Sequence, residues 1–189
     1  GKEDGETAIL HASELRELDE LSWGELRAQV AATAAALRGL EVERGDRVVA
    51  YMPNIPEAIV AFLATASLGA VWSSCSPDFG PASVVDRFAQ IEPKVLIAVD
   101  GYRYGGKDFD RRETVAALRE AMPSLERTVV VPYLDPAPDL SALAANTPWD
   151  ELLASGAGAE LSFERVLPDD PLAILYTSGT TGLPKAIVQ

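Results

Sequence analysis

Between Ser22 and Val131 the chain alternates segments of helical period with short, nearly unbroken apolar runs. Leu26, Val30, Ala34 and Leu37 recur at the spacing of one helix face. Ahead of them Ser22-Trp23-Gly24-Glu25 has the S-x-x-E spacing of a capping box, in which hydroxyl and carboxylate each satisfy a free amide of the first turn, and Gly39 predicts the stop. Gly45-Asp46 reads as a turn and Arg47–Met52 as a buried strand, broken by Pro53-Asn54-Ile55-Pro56. Pro56 suits the first turn of a helix, where its missing N–H has no partner to lose, and that helix is expected to run to about Leu68 and end at Gly69. Ala70–Ser74 follows as an apolar run, then a loop, Ser76–Gly80, then a helix from Pro81 to about Ile91 with Val84, Val85, Phe88 and Ile91 on one side, stopped by Pro93. Val95–Val99 is a third strand, Thr114–Ala121 a helix and Thr128–Val131 a fourth strand. Alternating helices and near-continuous apolar strands predict an α/β fold, a parallel sheet with helices on both faces.

After Pro132 the texture changes. Pro132, Pro136, Pro138 and Pro148 punctuate a loop-rich connector over 132–171, relieved by a helical turn or two near Trp149–Leu153 and by the small-residue run Ser155–Ala159. Leu172–Tyr176 reads as a strand of a different sheet, and 172–189 as strand, Thr/Gly loop, strand. The acidic stretch Glu14–Glu20 reads as a solvated helix face and His11 as a surface residue.

Composition narrows the function classes. The 189 residues carry 16 Lys plus Arg against 29 Asp plus Glu, a net charge of −13 that repels phosphate backbones at long range and argues against a nucleic-acid partner. No run approaches the roughly 20 apolar residues of a membrane span, and the polar, acidic start does not read as a signal peptide. A single cysteine, Cys75, allows no internal disulfide and suits a reducing cytoplasm; with His11 as the one histidine, no usual zinc site can be built, and no metal ligands are assigned. Cys75, Trp72 and Trp149 read as core residues. The chain ends on the apolar, β-branched Ala186-Ile187-Val188-Gln189 without a stop signal, and is expected to be part of a longer protein.

The chemistry concentrates in Tyr176-Thr177-Ser178-Gly179-Thr180-Thr181-Gly182-Leu183-Pro184-Lys185. Glycines let backbone N–H groups converge on an anion, hydroxyls add adjustable donors, and a lysine adds a point charge. That combination fits a polyphosphate. It is not a Walker A loop: Pro184 stands where that motif needs Gly-Lys, Ala186 follows Lys185, and the next segment reads as a strand rather than a helix. The bland alternative is a long surface turn, since the same residue types dominate turns.

Thr177 to Lys185 resembles the signature loop of the adenylate-forming enzymes, the superfamily of acyl-CoA synthetases, luciferases and peptide-synthetase adenylation domains. Gly45-Asp46-Arg47-Val48, Asn54-Ile55-Pro56-Glu57 and Gly69-Ala70-Val71 are similar to the first part of that family's large N-terminal, AMP-binding domain. Ser76–Gly80, Asp86-Arg87-Phe88, Ile91-Glu92-Pro93-Lys94, Asp100-Gly101-Tyr102 and Lys185-Ala186-Ile187-Val188 resemble its acetoacetyl-CoA synthetase branch, over about Leu21 to the end, with the acetyl- and propionyl-CoA synthetases as the nearest alternatives.

The resemblance implies a ligase that uses ATP, Mg2+ and CoA on a small acid, with Thr177, Ser178, Gly179, Thr180, Thr181, Gly182 and Lys185 holding the ATP phosphates and Lys185 acting in catalysis. It further implies that Arg103 and Lys107, in Tyr102–Lys107, are candidates to pair with a CoA phosphate; a solvated loop is the equal alternative. The family's adenine, ribose and hinge motifs and its C-terminal lysine are absent from these residues, so the remainder of its own chain is the expected partner and this chain alone is expected to be inactive. A non-catalytic phosphate-binding module is the competing class.

Overall fold

The computed structural model describes residues 1–177 and 182–189; Ser178, Gly179, Thr180 and Thr181 of the loop lie outside the described residues. In chain order the elements are β1 (Thr7–His11), β2 (Asp19–Ser22), α1 (Trp23–Gly39), β3 (Arg47–Tyr51), α2 (Pro56–Ser67), β4 (Val71–Cys75), α3 (Pro81–Phe88), β5 (Val95–Val99), β6 (Gly101–Tyr104), β7 (Lys107–Asp110), α4 (Arg112–Ala121), β8 (Arg127–Val131), β9 (Asn146–Pro148), α5 (Trp149–Ser155), β10 (Ile174–Thr177) and β11 (Lys185–Val188).

Five strands pair in parallel in the order β4-β3-β5-β8-β9. The expected strands are all present, and β9 adds an edge strand inside the stretch read as a connector; its Pro148 is tolerated there because an edge needs no second set of N–H donors. The chain steps from β3 outward to β4 and then crosses back to β5, so its direction of travel reverses between β3 and β5. In open α/β sheets ligands bind beyond the carboxyl ends of the strands near such a reversal.

Alternate strand residues feed two cores. Val48, Ala50, Ile97 and Val129 pack with α1, α2 and α5 through Val30, Leu37, Val60, Ala64, Trp149 and Leu152. Val49, Leu96, Ala98 and Val130 pack with α3 and α4 through Val84, Phe88, Val115 and Leu118. The central β5, Val-Leu-Ile-Ala-Val, is buried along its whole length, which is why its sequence shows no polar alternation.

The capping box closes as expected. The Ser22 hydroxyl accepts the Glu25 N–H at 3.2 Å and the Glu25 carboxylate accepts the Ser22 N–H at 2.9 Å. Ser22→Ala is therefore expected to cost about 1 kcal/mol in thermal or denaturant unfolding. The far end differs from expectation: Gly39 stays helical, and the left-handed residue is Glu41 at φ 61°. The Glu41 N–H reaches the Arg38 carbonyl and the Val42 N–H reaches that of Leu37, while buried Val42 packs close to Leu37, so the hydrogen-bonded cap and its apolar contact override the glycine.

Two further expectations are corrected. Glu14–Glu20 is not helical: the Ser13 hydroxyl accepts the N–H groups of Leu15 and Arg16, diverting them from a helix ladder, and the chain enters β2, antiparallel to β1. The helix expected over Pro81–Ile91 is α3 to Phe88 followed by a 3-10 turn at Ala89–Ile91, closed by Glu92 at φ 47°. No helix among the described residues is long and apolar enough to cross a membrane.

Candidate functional site

β10 and β11 form an antiparallel ribbon in which Thr177 stands opposite Lys185, so these two residues bound the glycine-rich segment from both sides. Directly opposed residues project from the same face. Thr177 and Lys185 therefore share the exposed face with Leu175 and Ile187, while Ile174 and Tyr176 turn toward the body of the protein. Gly182, at φ 119°, turns the chain back toward β11.

The ribbon is fastened to the edge of the parallel sheet. Ala173 bridges Trp72 in parallel, the Trp72 N–H donates to the Leu172 carbonyl at 3.0 Å, and the buried Ser73 hydroxyl donates to the Ile174 carbonyl at 2.7 Å. Because β10 runs parallel to β4, its end at Thr177 lies at the carboxyl edge of the sheet, outside β4 and on the same side as the β3–β5 reversal where ligands of such sheets bind. Two ties to the helix side hold this end. The Tyr176 hydroxyl donates to the Arg87 carbonyl at 2.9 Å, and the Gln90 amide donates to the Pro184 carbonyl at 2.9 Å. Burial pushes the Tyr176 phenol up to about 12, so it remains a neutral donor at physiological pH.

The loop after β4 is held as firmly. The Tyr51 hydroxyl lies 2.8 Å from the carbonyls of both Pro77 and Phe79, and burial raises its pKa to about 12. The Arg111 guanidinium donates to the Pro77 carbonyl at 2.9 Å and stacks over the ring of Tyr102. Tyr102 donates its hydroxyl proton to Asp78 at 2.6 Å, and Ser76 donates to the other oxygen at 2.8 Å. Those two bonds, Tyr102 first, hold the Asp78 carboxyl below the usual range. A depressed carboxyl stabilises the fold above the ordinary carboxylate pKa, and the contribution disappears as pH falls through the depressed value. Tyr102→Phe is expected to move the Asp78 titration upward, read by carboxyl NMR; an unchanged midpoint would refute the assignment.

Beside this loop a cleft of about 420 Å³ opens at the carboxyl ends of β3 and β4, lined by Met52, Asn54, Phe62, Trp72, Ser74 and Ser76. Trp72 is buried edge-on against Phe62, and Trp149 is buried as well, matching the core reading of both. Cys75 is buried, and desolvation raises its thiol to about 11, so it stays protonated and unreactive.

Arg103 and Lys107 belong to an antiparallel hairpin, β6–β7, not to a plain loop. Its turn residues Gly105 and Gly106 lie at φ 60° and 71°, the left-handed pair of the tight hairpin turn that only glycine adopts freely. Arg103 is paired with Asp108 through two N–H···O bonds of 2.5 and 3.1 Å. Lys107 makes no ion pair among the described residues. At the other end of the hairpin Asp100, fully buried, accepts the N–H groups of Tyr133, Leu134 and Asp135, which locks the start of β6 to the chain leaving β8.

The Ser76–Ile91 segment thus touches both candidate clusters, through Asp78 to the hairpin and through Arg87 and Gln90 to the ribbon. Sequence reasoning missed this framework, because Tyr102, Arg111, Gln90 and Tyr176 act through contacts far apart in the chain and no local pattern marks them.

A family model described as AMP-binding enzyme matches residues 2–189, so the likeness extends upstream of Leu21. The acetoacetyl-CoA synthetase of Mus musculus is 44% identical over 194 residues, spanning 100% of this chain and 29% of that protein. The acetoacetyl-coenzyme A synthetase of Rhizobium meliloti (strain 1021) is 46% identical over 186 residues, 96% of this chain and 28% of its own length. A solved structure, acetoacetyl-CoA synthetase from Streptomyces lividans, superposes with a TM-score of 0.90 at 55% identity, covering 98% of this chain and 28% of that one. The chain therefore spans less than a third of the length of the relatives it matches.

Proposed function

The chain belongs to the AMP-binding enzyme family, and we propose that within its full-length protein it forms the ATP-phosphate-holding part of an acetoacetate–CoA ligase. In that reaction the acetoacetate carboxylate attacks the α-phosphorus of ATP and pyrophosphate leaves; the CoA sulfur then attacks the acyl carbon and AMP leaves. The observation that carries the reading is the pairing of Thr177 with Lys185 at the carboxyl edge of the sheet, at the base of the glycine and hydroxyl segment. The identities of 44% and 46% to proteins named for this substrate support the choice of acid.

Charge gathers on the departing pyrophosphate. Thr177, Ser178, Gly179, Thr180, Thr181 and Gly182 supply hydroxyl and amide donors for it, and Lys185 supplies a cation; preorganised donors of this kind act where charge develops. Mg2+ bound to the phosphates would neutralise part of the same charge. The loop hydroxyls are the chain's own candidate donors to that ion, whose remaining ligands would be substrate oxygens and water. Arg103, Lys107 and the amides of the Gly105–Gly106 turn form a candidate seat for a phosphate of CoA. Leu175 and Ile187, exposed on the ribbon below the Thr177–Lys185 pair, are a face for the remainder of the chain to cover, with that pair left open toward the phosphates. The single, buried cysteine accords with a cytoplasmic protein.

The test is pyrophosphate exchange by the full-length protein with acetoacetate, acetate and propionate. Acetoacetate is expected to give the highest kcat/KM by at least about tenfold, an interaction difference of about 1.4 kcal/mol. A preference for acetate or propionate would overturn the substrate, and no exchange with any acid would overturn the reaction.

A further inference from the structure

The Gly105–Gly106 turn already holds an anion. The two oxygens of the Glu14 carboxylate accept the N–H groups of Gly105 and Gly106, each at 2.7 Å. Successive main-chain N–H groups exposed at a turn form a concavity that binds anions, and two oxygens of a phosphate present the same pattern of acceptors as a carboxylate. Lys107 flanks the turn without an ion pair among the described residues, Arg103 on the other side is already paired with Asp108, and Tyr104 between Arg103 and the turn is 72% exposed. Glu14 itself is exposed and sits at the tip of a short turn, Ser13–Arg16, closed by the Ser13 N–H on the Arg16 carbonyl at 2.9 Å. The root of this turn is fixed: Arg16 makes a two-pronged bond with Glu57 at 3.0 and 2.7 Å and lies over the ring of Tyr133. The tip has only the hairpin amides, among the described residues.

We propose that Glu14 is an internal occupant of this anion seat, which a phosphate monoester of the CoA nucleotide must displace in order to bind. The inference rests on the reading of the β6–β7 hairpin as the CoA phosphate seat. Its physical content is mass action within one chain: a tethered competitor lowers the apparent affinity for ligand by the fraction of time the seat stands open. Arg16 sets the local concentration of the competitor by anchoring the turn, and the solvent exposure of Glu14 makes its two bonds weak enough to exchange. The repulsion between the Glu14 carboxylate and an incoming phosphate adds to the competition, because both are anions at one site.

The test is steady-state kinetics of the full-length protein with CoA and with dephospho-CoA, which lacks the 3′-phosphate. Wild type is expected to have the lower KM for CoA. Glu14→Ala is expected to lower the KM for CoA about three- to tenfold while leaving that for dephospho-CoA within about twofold of wild type, and Glu14→Gln, which keeps one acceptor, should fall between and guards against a folding defect of the alanine variant. Lys107→Ala should erase the preference for CoA. An unchanged or raised KM for CoA in both Glu14 variants, with the wild-type preference intact and Lys107→Ala erasing it, would overturn the occupant role and leave the seat standing. Equal KM values for CoA and dephospho-CoA in wild type would overturn the seat itself and the occupant with it. A fall in both KM values together would also overturn the proposal, since competition for a phosphate acts on CoA alone.

Discussion

Lys185→Ala in the full-length protein is expected to slow acetoacetate-dependent pyrophosphate exchange by about 100-fold or more and to leave thermal stability nearly unchanged. Lys185 is exposed at the first position of β11, opposite Thr177, and forms no ion pair among the described residues. Removing its ammonium group takes nothing from either apolar core. A surface lysine without a partner contributes within about 0.5 kcal/mol to folding. In the proposed reaction the same ammonium group would meet charge that grows as the bond to the α-phosphorus breaks, and one preorganised donor of that kind is worth roughly 3–4 kcal/mol. The two magnitudes separate the roles. Lys185→Arg keeps the charge but spreads it over a planar fork too large for a point contact, and is expected to recover activity only in part. Exchange within twofold of wild type for Lys185→Ala would remove Lys185 from the reaction. A melting point lowered by many degrees would make it a structural residue.

The elements legible in the sequence are those that the core reads on both sides. β3, β5 and β8 are covered by helices on two faces, so they appear as unbroken apolar runs, and the helices between them carry their contacts at regular spacing. The elements that were not legible bury little. β1–β2 shields chiefly Leu21, β9 is three residues long, and β6–β7 mixes charged and aromatic residues and buries only its start, although Tyr104-Gly105-Gly106-Lys107 is a hairpin signal in its own right. The candidate site divides in the same way. Its glycines, hydroxyls and lysine are contiguous in sequence and therefore visible. The groups that hold it in place are not contiguous: Gln90 reaches Pro184, Tyr102 reaches Asp78, and Glu14 reaches a turn 91 residues away. Such bonds depend on the fold already being formed, and no residue period encodes them.

At Gly156 this distinction has a direct consequence for stability. In sequence it is one of two glycines in Ser155-Gly156-Ala157-Gly158-Ala159, and nothing local separates it from Gly158. In the fold Gly156 ends α5 against the middle of α1, and a Cβ placed on it would lie 2.0 Å from the Ala32 carbonyl oxygen and 2.7 Å from the carbonyl carbon. Both are backbone atoms of a helix that is anchored by Val30, Ala34 and Leu37 in the larger core, so neither can swing aside as a side chain would. Relief requires α5 to move off α1, which loosens Trp149 and Leu152 from the same core. Gly156→Ala is therefore expected to cost about 3 kcal/mol or more, a fall in melting temperature of roughly 6–12 °C for a domain of this size. Gly158 has the opposite character: it sits at φ 78° with nothing within 4 Å of an added Cβ, so Gly158→Ala meets backbone strain alone, about 1–2 kcal/mol. Thermal unfolding followed by circular dichroism reads both. A Gly156→Ala melting point within about 2 °C of wild type, or a Gly158→Ala protein less stable than Gly156→Ala, would mean that α5 does not pack against the α1 backbone as described.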